Sequence, residues 1–285
     1  MKSILQISGK LYDKIHNIWF STWGERWVSN ILIISFILGI VYYLAIIFGW
    51  VVPTNEFFNH PFFAIEIPFT LLLIFELLSL IFSLPRSVAM SNSKQYEVLS
   101  LIFLRSSFKE FSHIETLSDW SLNSEPVLNM FAYGAGGLLI FALTNLTYRL
   151  QSHVRITKNK GEQSSFIATK KLLALLLLAG FVIIGFNDIF HLMNTGTYDQ
   201  SFESFYTILI FCDILIVLIA LRYSTAYNVI FRYSAFALAT IFIRISFSLD
   251  TIESITVGTA GAVFVLLLTV IYNYFNRKEK VETLD

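Results

Sequence analysis

Seven stretches of the chain stay apolar for long enough to cross a bilayer as helices: residues 29–50, 63–85, 126–148, 171–192, 204–222, 226–248 and 253–275. Each is close to the ~20 residues that a helix needs to span the hydrocarbon core. An eighth stretch, 96–113, has the length but carries charged and titratable side chains along it, so hydropathy alone does not decide between a span and a surface helix. Ahead of the first span, Ile4, Ile7, Leu11, Ile15 and Ile18 recur at helical spacing while Lys10, Asp13 and Lys14 take other directions. That pattern predicts an amphipathic helix in the membrane interface, anchored by Trp19, Trp23 and Trp27.

The chain also matches itself. Residues 65–78, IEIPFTLLLIFELL, align with 202–215, FESFYTILIFCDIL, so that Glu66, Thr70 and Glu76 correspond to Glu203, Thr207 and Asp213. IFLRSSF at 102–108 aligns with IFIRISF at 241–247, and Gly134, Gly137 and Tyr148 with Gly258, Gly261 and Tyr272. Two copies of one module should cross the membrane equally often, so 96–113 is read as a span because its counterpart near 226–248 is one. The expected architecture is all-α: a polytopic membrane protein of eight helices in two four-helix repeats, 29–150 and 168–275. An interfacial segment 1–28 precedes them, a basic linker 151–167 joins them and a tail 276–285 follows. Four crossings per repeat insert both copies in the same direction. The small residues GAGG at 134–137 and GTAG at 258–261 are expected to pack helices closely.

Composition agrees, with 55% hydrophobic and 14% charged residues and a mean hydropathy of +0.66. Net charge is zero, but its distribution is not even. With eight spans and a cytoplasmic N-terminus, seventeen of the twenty lysines and arginines fall at inner segments; only Arg105, Lys109 and Arg244 lie toward the outside. This obeys the positive-inside rule and predicts an inner or plasma membrane protein with both termini cytoplasmic. The outer ends and loops are acidic, either because outward loops lack the lysines that would hinder translocation or because such a surface raises the local cation concentration. The lone Cys212 permits no intramolecular disulfide, and no cleavable signal peptide is evident.

Acidic residues inside apolar segments come closest to chemistry. Glu76 and Asp213 lie deep and are the candidates for transport or ion handling; a lone buried carboxylate needs a cation, an arginine or hydroxyls beside it. Arg232 is a candidate companion in the second repeat, and Ser79, Ser100, Thr144 and Asn145 in the first. Nearer the outer surface, Glu66 with Arg105 and Glu203 with Arg244 are expected at matched depth as one charge pair per module. Asp188 and His191, at i and i+3, are weak metal candidates, and two ligands do not make a site. No phosphate loop, nucleophile elbow, dinucleotide fingerprint or HExxH is present, so neither an enzyme nor a cofactor is expected, nor a nucleic-acid partner.

The order of features in one repeat is F-T then Glu in an inward-running second helix, Pro85-Arg86 at its inner end and a charged third helix. Over residues 65–110 this resembles the voltage-sensor module of ion channels. It departs at the fourth helix, 126–148, which has no internal arginine ladder, Arg149 lying only at its inner end. No potassium-channel pore-loop signature is present. The function expected is movement of a cation, proton or small solute using the intramembrane carboxylates. The alternative is a scaffold or subunit that binds partner membrane proteins through its small-residue faces and amphipathic N-terminus; a second copy of the chain is a further candidate partner. The lipid bilayer is a partner in either case.

Overall fold

The computed structural model describes residues 2–51, 63–85, 88–111, 124–151, 160–195, 202–223 and 227–282, and among these the chain is all-α. Its helices are α1 (Lys2–Trp19), α2 (Thr22–Ile47), α3 (Phe63–Ser83), α4 (Val88–Phe111), α5 (Glu125–Leu150), α6 (Lys160–Thr195), α7 (Phe202–Tyr223), α8 (Tyr227–Phe247) and α9 (Thr251–Glu282). Five of them, α2, α5, α6, α8 and α9, are long and apolar enough to cross a membrane. α3 and α7 carry shorter apolar stretches, Ile67–Ser83 and Thr207–Ala220. These helices mark an integral membrane protein. The charged stretch expected at 96–113 begins earlier, because α4 continues back to Val88 through the polar run SNSKQYE at 91–97.

Local signals set the corner between α1 and α2. Ser21 caps α2 by accepting from the Gly24 amide at 3.0 Å. A Cβ at Gly24 would lie 2.6 Å from the Trp19 carbonyl oxygen, so the tight corner requires glycine there. At its other end α2 stops where Gly49 adopts φ +72. The Gly49 amide donates to Ile46 and the Trp50 amide to Ala45, each at 2.9 Å, which is the paired bonding of a Schellman cap.

α4, α5, α8 and α9 pack together as a central bundle, with α3 flanking α4, α7 flanking α8, α6 beside α7 and α2 outermost on α3. α4 is the least apolar of the long helices, yet Ser91, Asn92, Ser93, Gln95, Tyr96, Leu99 and Ser100 on it are all buried. Around it run two apolar cores. One gathers Leu77, Leu80, Ile81, Phe166, Leu177 and Leu209; the other gathers Tyr96, Leu99, Phe103, Ile140, Ala239 and Ile243. By contrast, large apolar side chains such as Leu38, Leu138, Ile183 and Phe211 are exposed, as expected of surfaces facing lipid.

Small residues let the central helices approach. A Cβ at Gly137 of α5 would lie 3.0 Å from the Ser100 carbonyl oxygen and 3.4 Å from Phe103 Cβ of α4. One at Gly261 of α9 would lie 3.0 Å from Phe242 Cβ of α8 and would overlap the Tyr96 hydroxyl. Ser107 Oγ donates to the Met130 carbonyl at 2.7 Å, bridging α4 to α5, and Ser246 Oγ donates to the Ser254 carbonyl at 2.8 Å, bridging α8 to α9.

α1 packs chiefly on α6. Its Ile7, Leu11 and Ile18 are exposed while Ile15, Tyr12 and Trp19 turn toward the protein, so its apolar residues serve two surfaces. Tyr12 Oη donates to the Phe82 carbonyl at 2.6 Å, and Lys171 Nζ lies 2.6 Å from Asp13 Oδ1.

Candidate functional site

Seven residues of α3 follow Glu76, and six residues of α4 precede Lys94. At 1.5 Å per residue both side chains therefore leave the backbone roughly 10 Å from the same end of the bundle. They meet there: Lys94 Nζ lies 2.7 Å from Glu76 Oε2 and 2.9 Å from Glu97 Oε1, the latter one turn along α4. Tyr148 of α5 completes the group by donating to Glu97 Oε2 at 3.2 Å. Side-chain exposures of 22% for Glu76, 19% for Lys94 and 34% for Glu97 show that the group is half-buried rather than sealed. A cleft of about 280 Å³ reaches Lys94 and Tyr148, with Ser79, Ser83, Phe82, Met90 and Phe20 as its other walls. Trp19 of α1 donates to Ser79 Oγ at 3.3 Å, which seats α1 beside it.

The next residue of α4 points elsewhere. One step turns a helix by ~100°, which carries Gln95 toward α7 and α8. Gln95 Nε2 donates to Asp213 Oδ2 at 3.0 Å, and Thr240 Oγ1 donates to the same oxygen at 3.0 Å. Asn92, one turn earlier, donates to the Phe236 carbonyl at 2.9 Å and lies 3.4 Å from Thr240 Oγ1. Asp213 is 8% exposed and has no cationic partner among the described residues. The amide oxygens of Gln95 and Asn92 are buried without a protein partner. Two adjacent residues of one helix thus hold the two deep carboxylates, Lys94 through an ion pair and Gln95 through a hydrogen bond.

The companions expected for these carboxylates are replaced by others. Arg232 does not reach Asp213; its guanidinium stands 4.2 Å from the Tyr272 ring centroid and 5.8 Å from that of Phe236. Thr144 and Asn145 donate to carbonyls of their own helix, Ile140 and Phe141, and Ser100 to that of Glu97. Ser79 faces the cleft and accepts from Trp19. Glu66 and Glu203 have side chains outside the described residues, so the expected outer pairs with Arg105 and Arg244 fall outside them too. The same holds for His191 beside Asp188; no group of three or more potential metal ligands occurs among the described residues.

Lys94, Glu97, Gln95 and Thr240 were not singled out from the sequence, and Tyr148 only as a matched position of the repeat. A signal did exist in SNSKQYE: seven polar or amphipathic residues around two full turns cannot face lipid on any side, so they need a protein environment all round. Comparison with protein-family models, curated proteins and solved structures finds no match.

Proposed function

We propose that this chain is an eight-span protein of the inner or plasma membrane, built from two like-oriented copies of a four-helix module, that takes up a proton or a small monovalent cation at the Glu76–Lys94–Glu97 group. The observation that carries the reading is charge: two carboxylates face one ammonium, and one proton or one monovalent cation would cancel the remaining negative charge. Tyr148 extends this hydrogen-bonded series to the wall of the cleft, giving a route from solvent to the carboxylates. With the basic linker on the cytoplasmic side, the cleft opens toward the cytoplasm, and α1 lies in the inner interface beside it.

Several contacts support the duplication. The sequence match pairs Phe103 with Phe242, Ser107 with Ser246, Met130 with Ser254 and Gly137 with Gly261. Gly137 approaches Phe103 as Gly261 approaches Phe242, and the Ser107–Met130 bond has its counterpart in Ser246–Ser254. α4 counts as a crossing in this reading because α3, α5, α8 and α9 pack against it where its polar residues 91–100 lie, while Leu104 and Phe108, exposed nearer its other end, are apolar.

Reconstitution tests the proposal. Vesicles containing the protein should carry proton or monovalent-cation flux under an imposed gradient, and Glu97→Gln should abolish it while the variant still folds. Flux equal to that of empty vesicles would leave the scaffold reading. The burial of Asp213, away from the cleft, favours that second reading for the other half of the molecule.

A further inference from the structure

Arg232 is the sixth residue of α8, placing its backbone about 7.5 Å from the start of that helix. Its guanidinium carbon lies over two aromatic rings, Tyr272 of α9 at 4.2 Å and Phe236 of its own helix at 5.8 Å. A cation–π contact is electrostatic and does not use the guanidinium's N–H groups as hydrogen-bond donors to oxygen. No carboxylate pairs with those donors among the described residues. Arg149, in the last turn of α5, is exposed and likewise forms no ion pair among the described residues.

Between the ends of α4, α5, α8 and α9 lies a cavity of about 10 Å³, bordered by Arg232, Gln151, Thr269, Tyr272 and Asn273. Such a volume holds a single water, so any larger ligand docks at its mouth. Its polar walls are already committed: Gln151 donates to the Ala89 carbonyl at 3.0 Å, and Asn273 donates to the Leu150 carbonyl. The guanidinium edge is the strong donor left over.

An arginine without a counter-ion inside an apolar helix is costly. At a depth of one to two turns the bilayer itself offers the missing anion, the phosphate of a lipid headgroup, and anionic lipids are drawn to positive charge at the cytoplasmic face. We infer that Arg232 is a phosphate-binding residue, occupied by the phosphodiester of an anionic phospholipid of the inner leaflet, with Arg149 adding to the local positive field. The inference rests on the membrane reading of the helices and is independent of ion handling at Glu76.

The test is thermal unfolding of the full chain in mild detergent, followed by tryptophan fluorescence, with phosphatidylglycerol, phosphatidylcholine or inorganic phosphate added. Phosphatidylglycerol should raise the wild-type melting temperature saturably and phosphatidylcholine should not. In Arg232→Gln the apparent affinity should fall roughly tenfold to a hundredfold, the range expected for losing charge-assisted hydrogen bonds to an anion. Arg232→Lys, which keeps the charge but loses the fork, should fall between the two. Equal stabilisation of wild type and Arg232→Gln by phosphatidylglycerol overturns the site. Inorganic phosphate matching the lipid's effect overturns the lipid as its source. Should Arg232→Gln fail to fold, Arg232→Lys decides: weaker lipid affinity supports the site and unchanged affinity overturns it.

Discussion

Replacing Lys94 by methionine keeps the length and the apolar stem of the side chain and removes only the ammonium. Two ion pairs, at 2.7 and 2.9 Å, are lost together. Both carboxylate oxygens lie under 3 Å from the same nitrogen, so Glu76 and Glu97 are left within about 6 Å of each other. At an effective dielectric of about 20, two like charges at that distance repel by ~3 kcal/mol. Mutational experience gives a consistent figure: stripping one partner from a fully buried pair costs about 3–5 kcal/mol, reduced here to roughly 2–3 because all three side chains are partly exposed. Glu76→Gln is the matched control. It leaves Lys94 paired with Glu97, and its amide oxygen still accepts, so about 1 kcal/mol is expected. Combining Lys94→Met with Glu97→Gln removes the repulsion and should recover a large part of the loss. Equilibrium unfolding in mixed micelles, followed by tryptophan fluorescence, compares the three. A Lys94→Met variant no less stable than Glu76→Gln would show that the ammonium does not hold these carboxylates together.

Asp213 should behave differently from Glu76. Asp213→Asn keeps an oxygen for Gln95 and Thr240 and offers an amide to the unpartnered Gln95 oxygen, so stability should stay within about 1 kcal/mol of wild type or rise; Asp213→Leu strands two buried donors and should cost about 2–4 kcal/mol in the same unfolding assay. Glycine substitutions should separate packed from lipid-facing positions. Gly261→Ala forces Tyr96 or Phe242 to shift and should cost about 1–3 kcal/mol, whereas Gly180→Ala, with nothing within 4 Å of the new methyl group, should be neutral or stabilising by about 0.5–1 kcal/mol. Equal melting temperatures for the two glycine variants would contradict the close approach of α8 and α9.

Hydropathy made most helices of this chain legible because it reports what a helix shows to lipid. α2, with Gly39 as its buried residue, and the outward faces of α5 and α6 must be apolar whatever they pack against. The same measure understates α4, since the stretch of it packed against α3, α5, α8 and α9 is free to be polar, and its chemistry is concentrated for that reason. The match between halves picked out Glu76 and Asp213 as carboxylates worth placing, and their retention in apolar segments required partners of some kind. Which partners was decided by the rotation of α4 about its own axis: one step along the backbone sends Lys94 to Glu76 and Gln95 to Asp213. No linear spacing encodes that, because the partners of Asp213 lie 118 residues before it and 27 after it. The charge placed beside each tyrosine of the matched pair was equally invisible, Tyr148 donating to Glu97 and Tyr272 lying under Arg232. Sequence by itself determined that the chain forms membrane helices and roughly where they lie, because transfer into lipid acts on each segment separately. Only the tertiary structure decided which polar groups meet, because that depends on how several helices are turned toward one another.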